Sequence, residues 1–572
     1  MRYLAFAALV AACARPGAGA PKTVETGPDS LTLIIAGTTD VHGWLRGWDY
    51  FANAPDTARG LARAATVVDS LRAAHPDRVI LVDAGDDLQG TPIASVALRD
   101  SLRPNPIIAA MNAMRYDAAI IGNHEFNFGL GYLSRAIAQA RFPFLAANVY
   151  TPREHLAFAA WTMVHRSGAR VAIVGGTTPG SMVWDGDKLR GRVEVRDIVP
   201  AVRAAVAEAR VQGADVVVVV LHSGLEEPSS YDTVATGLPS ENVSARVARE
   251  VPGIDVLVFG HSHRELPDTT IGGVLVTQPR NWSGSVSVTR VHLRRGRGAW
   301  RVVGKRGGVV SARGRAEHAG VVAAVADAHE RAVEDVNAPI GSTPDAWSAD
   351  SARVRDTPMI DFVNEVQRRA AGADLSAASA FTLNARFGPG AITMADVAEL
   401  YPYDNNVLRV VRISGRQLRD YLEHSARYFR QSPPRDSLID PRVPGFNFDI
   451  VSGVEYVIDI SRPIGSRITT LARGGRRVAD TDTFTLAVND YRQSGGGGYA
   501  MLRGAPVVQD RQQSIRQLLI DEIRRRGTLR HEEYFTQTWR LAPDSLVGAA
   551  YRAMRRLPYD RPRGPSSAGS LR

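Results

Sequence analysis

The sequence predicts a two-domain α/β protein, α+β overall, and three observations carry that reading. At 572 residues the chain exceeds what one ordinary core holds. Between Leu31 and Leu293, apolar strand-like runs alternate with helical patterns, the mark of a sheet with substantial parallel pairing. Beyond a helical stretch that ends near Val336, a second series of strands and helices runs from Gly341 to Leu541, so a smaller α/β domain follows the larger one.

Residues 1–29 read as an export signal and tether. Arg2 precedes an apolar run over 3–12 that suits a signal peptide and is too short to span a bilayer as a helix. Cys13, the only cysteine, closes Val10-Ala11-Ala12-Cys13, which resembles the bacterial lipobox; Ala12-Cys13-Ala14 also offers an ordinary small-x-small cleavage site. The lone cysteine falls where lipidation requires it, which favours an exported, periplasmic or cell-envelope lipoprotein. Its only membrane link would be an N-terminal lipid. A single cysteine permits no disulfide within the chain. Residues 16–29, rich in Gly, Pro and Thr, read as a flexible tether.

The first domain, 30–312, carries helical patterns at 57–74 and 198–211. After an Arg/Gly-rich stretch at 294–315, Val321, Val322, Val325, Ala328, Ala332 and Val336 recur at helical spacing up to Asn337-Ala338-Pro339. That predicts a linker helix within 313–340. The second domain, 341–541, shows helices at 357–371 and 414–429. The latter opens at Ser414-Gly415 and places Leu418, Tyr421, Leu422 and Phe429 on one face. Strands are expected at 407–413, 453–460 and 483–488. The tail, 542–572, turns Pro/Ser/Gly/Arg-rich from 557 and reads as partly disordered.

The net charge of +10 comes almost wholly from Arg, with Lys only at 22, 188 and 305. Its simplest reading is a GC-rich coding habit, although a positive field also gathers phosphorylated anions. No basic run with interleaved aromatics accompanies it, so a nucleic-acid polymer is not an expected partner. A monomer is expected.

Five short runs of metal-ligand residues each follow an apolar strand-like segment: Asp40-Val41-His42, Gly85-Asp86-Asp87, Gly122-Asn123-His124-Glu125, Leu221-His222-Ser223 and Gly260-His261-Ser262-His263. In an open sheet such residues gather where parallel strands end. Asp, Asn and His supply oxygen and nitrogen donors suited to Zn, Mn or Co. One aspartate can bridge two ions, so the set is large enough for a dinuclear site, which points to hydrolysis at phosphorus.

The motifs TTDVHGWL, GLARAATVVDSLR leading into VILVDAGDDLQGTP, IIGNHEFNFG, LHSG and VPGIDVLVFGHSHRELP resemble, in order and spacing, the bacterial 5′-nucleotidase family. The N-terminal domain of that family is a calcineurin-like metallophosphoesterase, a sandwich of sheets flanked by helices. The resemblance implies that Asp40, His42 and His263 bind one ion, Asn123, His222 and His261 the other, and Asp86 both. His124 would stand near the leaving oxygen as general acid or charge stabiliser. Many members follow Gly-Asn-His-Glu-Phe with Asp; here Asn127 stands there, an amide that orients the ring without stabilising its charge to the same degree. GNHEFN and the GDxxQGTP segment resemble the 2′,3′-cyclic-nucleotide 2′-phosphodiesterase/3′-nucleotidase branch.

In the second domain, the segments 400–405, 444–449 and 488–492, the last followed by Gly495–Gly498, resemble the nucleoside-binding segments of that branch. The positions matching its base sandwich are Phe446 and Tyr491, where stacking is worth ~1–3 kcal/mol per base. Arg386 matches a family arginine near the substrate, and Gly497 replaces an acidic residue found in many 5′-nucleotidases. The implied activity is hydrolysis of 2′,3′-cyclic nucleotides and 3′-nucleotides, with 5′-nucleotidase or UDP-sugar hydrolase as the alternative. The complete ligand set argues against a surface protein that binds without catalysis. A site shared between two domains makes a hinge at the linker helix matter for turnover.

Overall fold

The computed structural model describes residues 29–556 apart from 51–52, 100–102, 228, 230, 232, 297, 404–405 and 432–436. Cys13, the signal and the 557–572 end of the tail lie outside the described residues.

Two sheets face each other in the N-terminal region. In the first, the order is Trp300–Arg306, Ser285–Arg295, Ser30–Thr38, Val79–Asp83, Ala118–Ile120 and Phe144–Leu145. Its last four strands run parallel, and Ser285–Arg295 pairs antiparallel with Ser30–Thr38. In the second, the order is Leu266–Ile271, Val274–Gln278, Val256–Phe259, Val216–His222, Ala169–Thr177 and Trp161–Arg166. Its inner four strands are parallel and its two edges antiparallel.

Alternation along each strand builds a sandwich with two outer layers. Leu31, Leu33, Ile35, Ile80 and Val82 of the first sheet meet Ile173, Val218, Val220 and Val258 of the second. The intervening residues point the other way. Ile34, Ala36 and Leu81 pack on the helices Leu61–Ala74 and Pro106–Met114. Val217, Val219, Leu221 and Phe259 pack on Ile198–Val211 and Ser244–Glu250. A strand buried on both faces needs an unbroken apolar run, which is why 216–221 reads Val-Val-Val-Val-Val-Leu.

The expected linker is two helices, Ala319–Ala324 and Ala326–Asn337, broken at Val325, whose φ of −116° and ψ of 9° leave the helical region. Its second half is tied to the N-terminal region: Tyr50 Oη lies 2.9 Å from His329 Nδ1, and Arg103 pairs with Asp327. Beyond it, Asp449–Ser452, Leu375–Ser379, Thr483–Asn489, Val407–Ser414 and Val507–Ser514 form a five-stranded sheet. A four-stranded sheet is completed by Trp539–Ala542. The helix Gly415–Ser425 opens on a capping box: Ser414 Oγ accepts from Gln417 N at 3.2 Å, and Gln417 Oε1 accepts from Ser414 N at 2.9 Å. Part of the expected tail is ordered, since Val547–Met554 is a helix whose Ala550 and Met554 are buried in the core. Among the described residues no helix is long and apolar enough to cross a membrane.

Candidate metal centre

All five ligand runs leave the C-terminal ends of parallel strands and meet in one neighbourhood, four of them lining one cleft and His222 buried behind it. The turns that aim them are strained. Asp40 (φ 48°), His42 (47°), Asp86 (65°), His261 (76°) and His263 (54°) all occupy the left-handed region, which residues with a Cβ enter at a cost. Neighbouring backbone holds them there: Asp40 N donates to Gly85 O at 2.8 Å, His42 N to Asp86 O at 2.9 Å and Trp282 N to Asp40 O at 2.8 Å. The buried Glu125 carboxylate ties the second and third runs together, accepting from Gly122 N, Asp86 N, Asp87 N and Leu88 N at 2.7–3.0 Å. Gly122 has to lack a side chain, because a Cβ there would stand 2.3 Å from Asp86 Oδ1.

The donors form three overlapping groups, Asp40/His42/His263, His42/Asp86/His124 and Asp86/His222/His261, each within 4.8 Å. His222 Nε2 lies 3.0 Å from both Asp86 Oδ2 and Asn123 Oδ1. His263 Nε2 is 3.3 Å from Asp40 Oδ1 and 3.2 Å from His42 Nε2. Carbonyls set the ring orientations, since a carbonyl only accepts. His42 Nδ1 faces Gln89 O at 3.0 Å and His222 Nδ1 faces Ala84 O at 2.7 Å, so both rings turn Nε2 inward. His261 is held by Glu241, whose Oε1 is 2.7 Å from its Nε2.

Charge is concentrated and buried. Burial, reinforced by the charge of His124, pulls His42 down to about 3 and keeps its ring neutral. Burial also opposes charge on His222, but the Asp86 carboxylate outweighs it and raises that ring to about 10. Asp86 stays well below the usual carboxylate range: burial works against its charge, and His222 and His124 overcome it. Two buried carboxylates among inward-turned imidazole nitrogens, two of them 3.2 Å apart, form a donor set that fits divalent cations.

His124 follows the last donor of the third run and points Nε2 toward the group, 3.9 Å from Asp86 Oδ2. Asn127 Oδ1 lies 2.7 Å from its Nδ1. All seven expected ligands, His124 and Asn127 thus stand in one neighbourhood. The substrate residues do not. The cleft, about 720 Å³, is lined as well by Arg409, Asp490, Ser494 and Arg516 of the C-terminal region, and neither Phe446 nor Tyr491 lines it. These two residues are 38% and 47% exposed; Arg492 donates to the Phe446 carbonyl at 2.5 Å and lies 5.4 Å from the Tyr491 ring. Arg386 does not line the cleft either; its guanidinium donates to Ser348 Oγ.

Sequence reading missed Glu241, Asp185 and Trp184, which follow no strand at a recognisable spacing and carry no local signal; of the C-terminal wall, Asp490 falls in the 488–492 segment, directly after the strand Thr483–Asn489, but nothing in the sequence turns it toward the donors.

Residues 33–265 match the calcineurin-like phosphoesterase family, and residues 339–504 match the 5′-nucleotidase C-terminal domain. The chain is 32% identical to a 2′,3′-cyclic-nucleotide 2′-phosphodiesterase/3′-nucleotidase of Haemophilus influenzae, over 82% of this chain and 81% of that protein. It is 29% identical to the trifunctional nucleotide phosphoesterase YfkN of Bacillus subtilis, over 91% of this chain but only 40% of that longer one. Among solved structures, a putative 5′-nucleotidase from Staphylococcus aureus in complex with α-ketoglutarate superposes with a TM-score of 0.60 at 26% identity. That match covers 89% of this chain and all of that one.

Proposed function

The chain belongs to the calcineurin-like phosphoesterases that carry a 5′-nucleotidase C-terminal domain, and from that premise we propose that it hydrolyses 2′,3′-cyclic nucleotides and then the 3′-nucleotides they yield. The convergence of three donor groups on one cleft is the observation that carries the proposal. Asp40, His42 and His263 would hold one divalent ion, Asn123, His222 and His261 a second, and Asp86 both. Zn, Mn or Co suits these donors. Such a pair, when bound, acidifies a water and neutralises the phosphoryl oxygens.

The chain's own groups do the rest. A water oxygen attacks phosphorus, the bond to O2′ breaks, and His124 Nε2 gives that oxygen its proton, leaving a 3′-phosphate. A second water releases phosphate and nucleoside in the same way. Phe446 and Tyr491 would take the base between them, and Arg386 would approach the bound nucleotide. For the rings to serve the metals, the C-terminal domain has to turn relative to the N-terminal one. We place the domains at 30–312 and 341–541, joined by 313–340, in a monomer exported under residues 1–29 and anchored through Cys13.

A 5′-nucleotidase or UDP-sugar hydrolase is the second reading, favoured by the likeness to the putative staphylococcal 5′-nucleotidase. Asn127 and Gly497, which stand where many 5′-nucleotidases carry acidic residues, weigh against it. Purified protein with Mn is to be assayed on 2′,3′-cyclic AMP, 3′-AMP, 5′-AMP and a UDP-sugar. The first two should turn over and lose turnover to a chelator; rapid 5′-AMP hydrolysis with none of the cyclic substrate selects the second reading.

A further inference from the structure

The Asn127 amide has a different partner at each end. Its Oδ1 lies 2.7 Å from His124 Nδ1, and its Nδ2 donates to Asp185 Oδ2 at 2.7 Å. Asp185 comes from far along the chain, at the junction of the short helices Ser181–Trp184 and Gly186–Leu189, and is 2% exposed. Its other oxygen accepts from Lys188 Nζ at 2.5 Å. Its backbone is fixed as well: N donates to Ser181 O at 3.0 Å, and O accepts from Lys188 N and Leu189 N at 2.9 and 3.1 Å. The same segment touches the donor group a second time, through Trp184, whose ring lies 5.6 Å from that of His261.

The polarity of this chain of contacts has a consequence. The two ends of an amide have nearly the same shape, so Asn127 alone has no preferred sense. A carboxylate only accepts, so Asp185 forces the amide nitrogen toward itself and the carbonyl toward the ring. The carbonyl also only accepts, so the facing ring nitrogen, Nδ1, carries a proton. Nε2 is left as the atom turned to the cleft, 3.9 Å from Asp86 Oδ2.

We infer that Asp185 is the positioning residue of this site: acting through Asn127, it fixes the ring of His124 with Nε2 toward the reacting phosphate. The inference rests on the role of His124 in the proposed reaction.

Three variants test it on 2′,3′-cyclic AMP. Asp185→Asn turns its amide oxygen to Lys188 Nζ and its NH2 to Asn127, which reverses the Asn127 amide and sets its NH2 against the ring, and should lower kcat about 10- to 100-fold, as loss of a buried orienting partner does, with KM nearly unchanged. Asn127→Asp sets two carboxylates across a 2.7 Å gap now bridged by N–H···O, and should lose at least as much. The double variant Asn127→Asp/Asp185→Asn exchanges the partners, keeps one amide and one carboxylate in line, and should recover most of the loss, to within about 5-fold of wild type. Wild-type kcat in Asp185→Asn, or a double variant no better than that single one, overturns the inference. Crystal structures of the metal-loaded proteins supply a readout independent of turnover. The His124 ring should hold one rotamer in wild type and lose it in Asp185→Asn. An unchanged ring overturns the inference; a wild type inactive on every nucleotide, with the ring displaced in the variant, removes the proposed function and leaves the positioning role standing.

Discussion

His261 is held from outside the donor group, by Glu241 Oε1 at 2.7 Å from its Nε2. Glu241 comes from a loop segment without regular structure, and its buried carboxylate fixes which ring nitrogen is free to face Asp86. Glu241→Gln keeps the shape and removes the charge, so apparent metal affinity should fall about 10- to 100-fold in a chelator competition. An affinity equal to wild type would mean that the ring is held by packing alone. His124→Ala asks a different question. Its imidazole is assigned to proton transfer, so kcat should fall about 10²- to 10⁴-fold while elemental analysis still finds two metals per chain. Turnover equal to wild type rules out the proposed acid. At this scale the candidate donors were legible in the sequence because each stands at, or a few residues beyond, the end of an apolar strand. Glu241 and Asp185 were not, because their partners are defined only once distant loops meet.

Among the elements, the N-terminus of the helix Pro358–Ala371 is bound to the last strand, Trp539–Ala542, by two carboxylates. Asp356 Oδ2 accepts from Thr538 N at 2.7 Å and Trp539 N at 3.3 Å, and Asp361 Oδ2 from Thr536 N at 3.1 Å. Burial, then the charge of Asp356, pushes Asp361 up to about 8. The unfolded chain ionises this group near 3.8, so between pH 4 and 8 the folded state holds a proton that the unfolded state has lost. Its contribution to stability therefore falls as pH rises through that window. Asp361→Asn imitates the protonated acid, so its gain in Tm over wild type should be near zero at pH 4 and grow to a few degrees by pH 8, about 2–4 °C for each kcal/mol. A gain that does not change with pH would show that Asp361 keeps no proton. The strand itself lay at the very end of the expected domain, and the helix Val547–Met554 fell in what reads as tail. Short elements completing a distant sheet or core lack a periodicity long enough to register. The break at Val325 was equally silent, since Val321 to Val336 keep helical spacing straight through it.

For the whole molecule, the proposed reaction has one demand that the described arrangement leaves unmet. The metal donors share the cleft with Arg409, Asp490, Ser494 and Arg516, whereas the two rings assigned to the base are exposed elsewhere on the C-terminal domain. The helices 319–337 pack on the N-terminal region, so the swivel is to be sought at their end, where Ala338 turns extended (φ −69°, ψ 142°) before the strand Pro339–Thr343. The helix Ser181–Trp184 touches the strand Val507–Ser514 of the other domain, and a cysteine pair placed across that contact would lock the two together. Cys13 is the only native cysteine, so its replacement leaves the new pair unambiguous. Oxidised, such a variant should lose nucleotide turnover by more than about 10-fold and regain it on reduction, because the base can no longer be carried to the metals. It should keep its rate on bis(p-nitrophenyl) phosphate, which has no base to carry. Loss on both substrates would mean that the lock disturbs the metal centre, and nucleotide turnover undiminished in the oxidised form would mean that Phe446 and Tyr491 do not hold the base during hydrolysis.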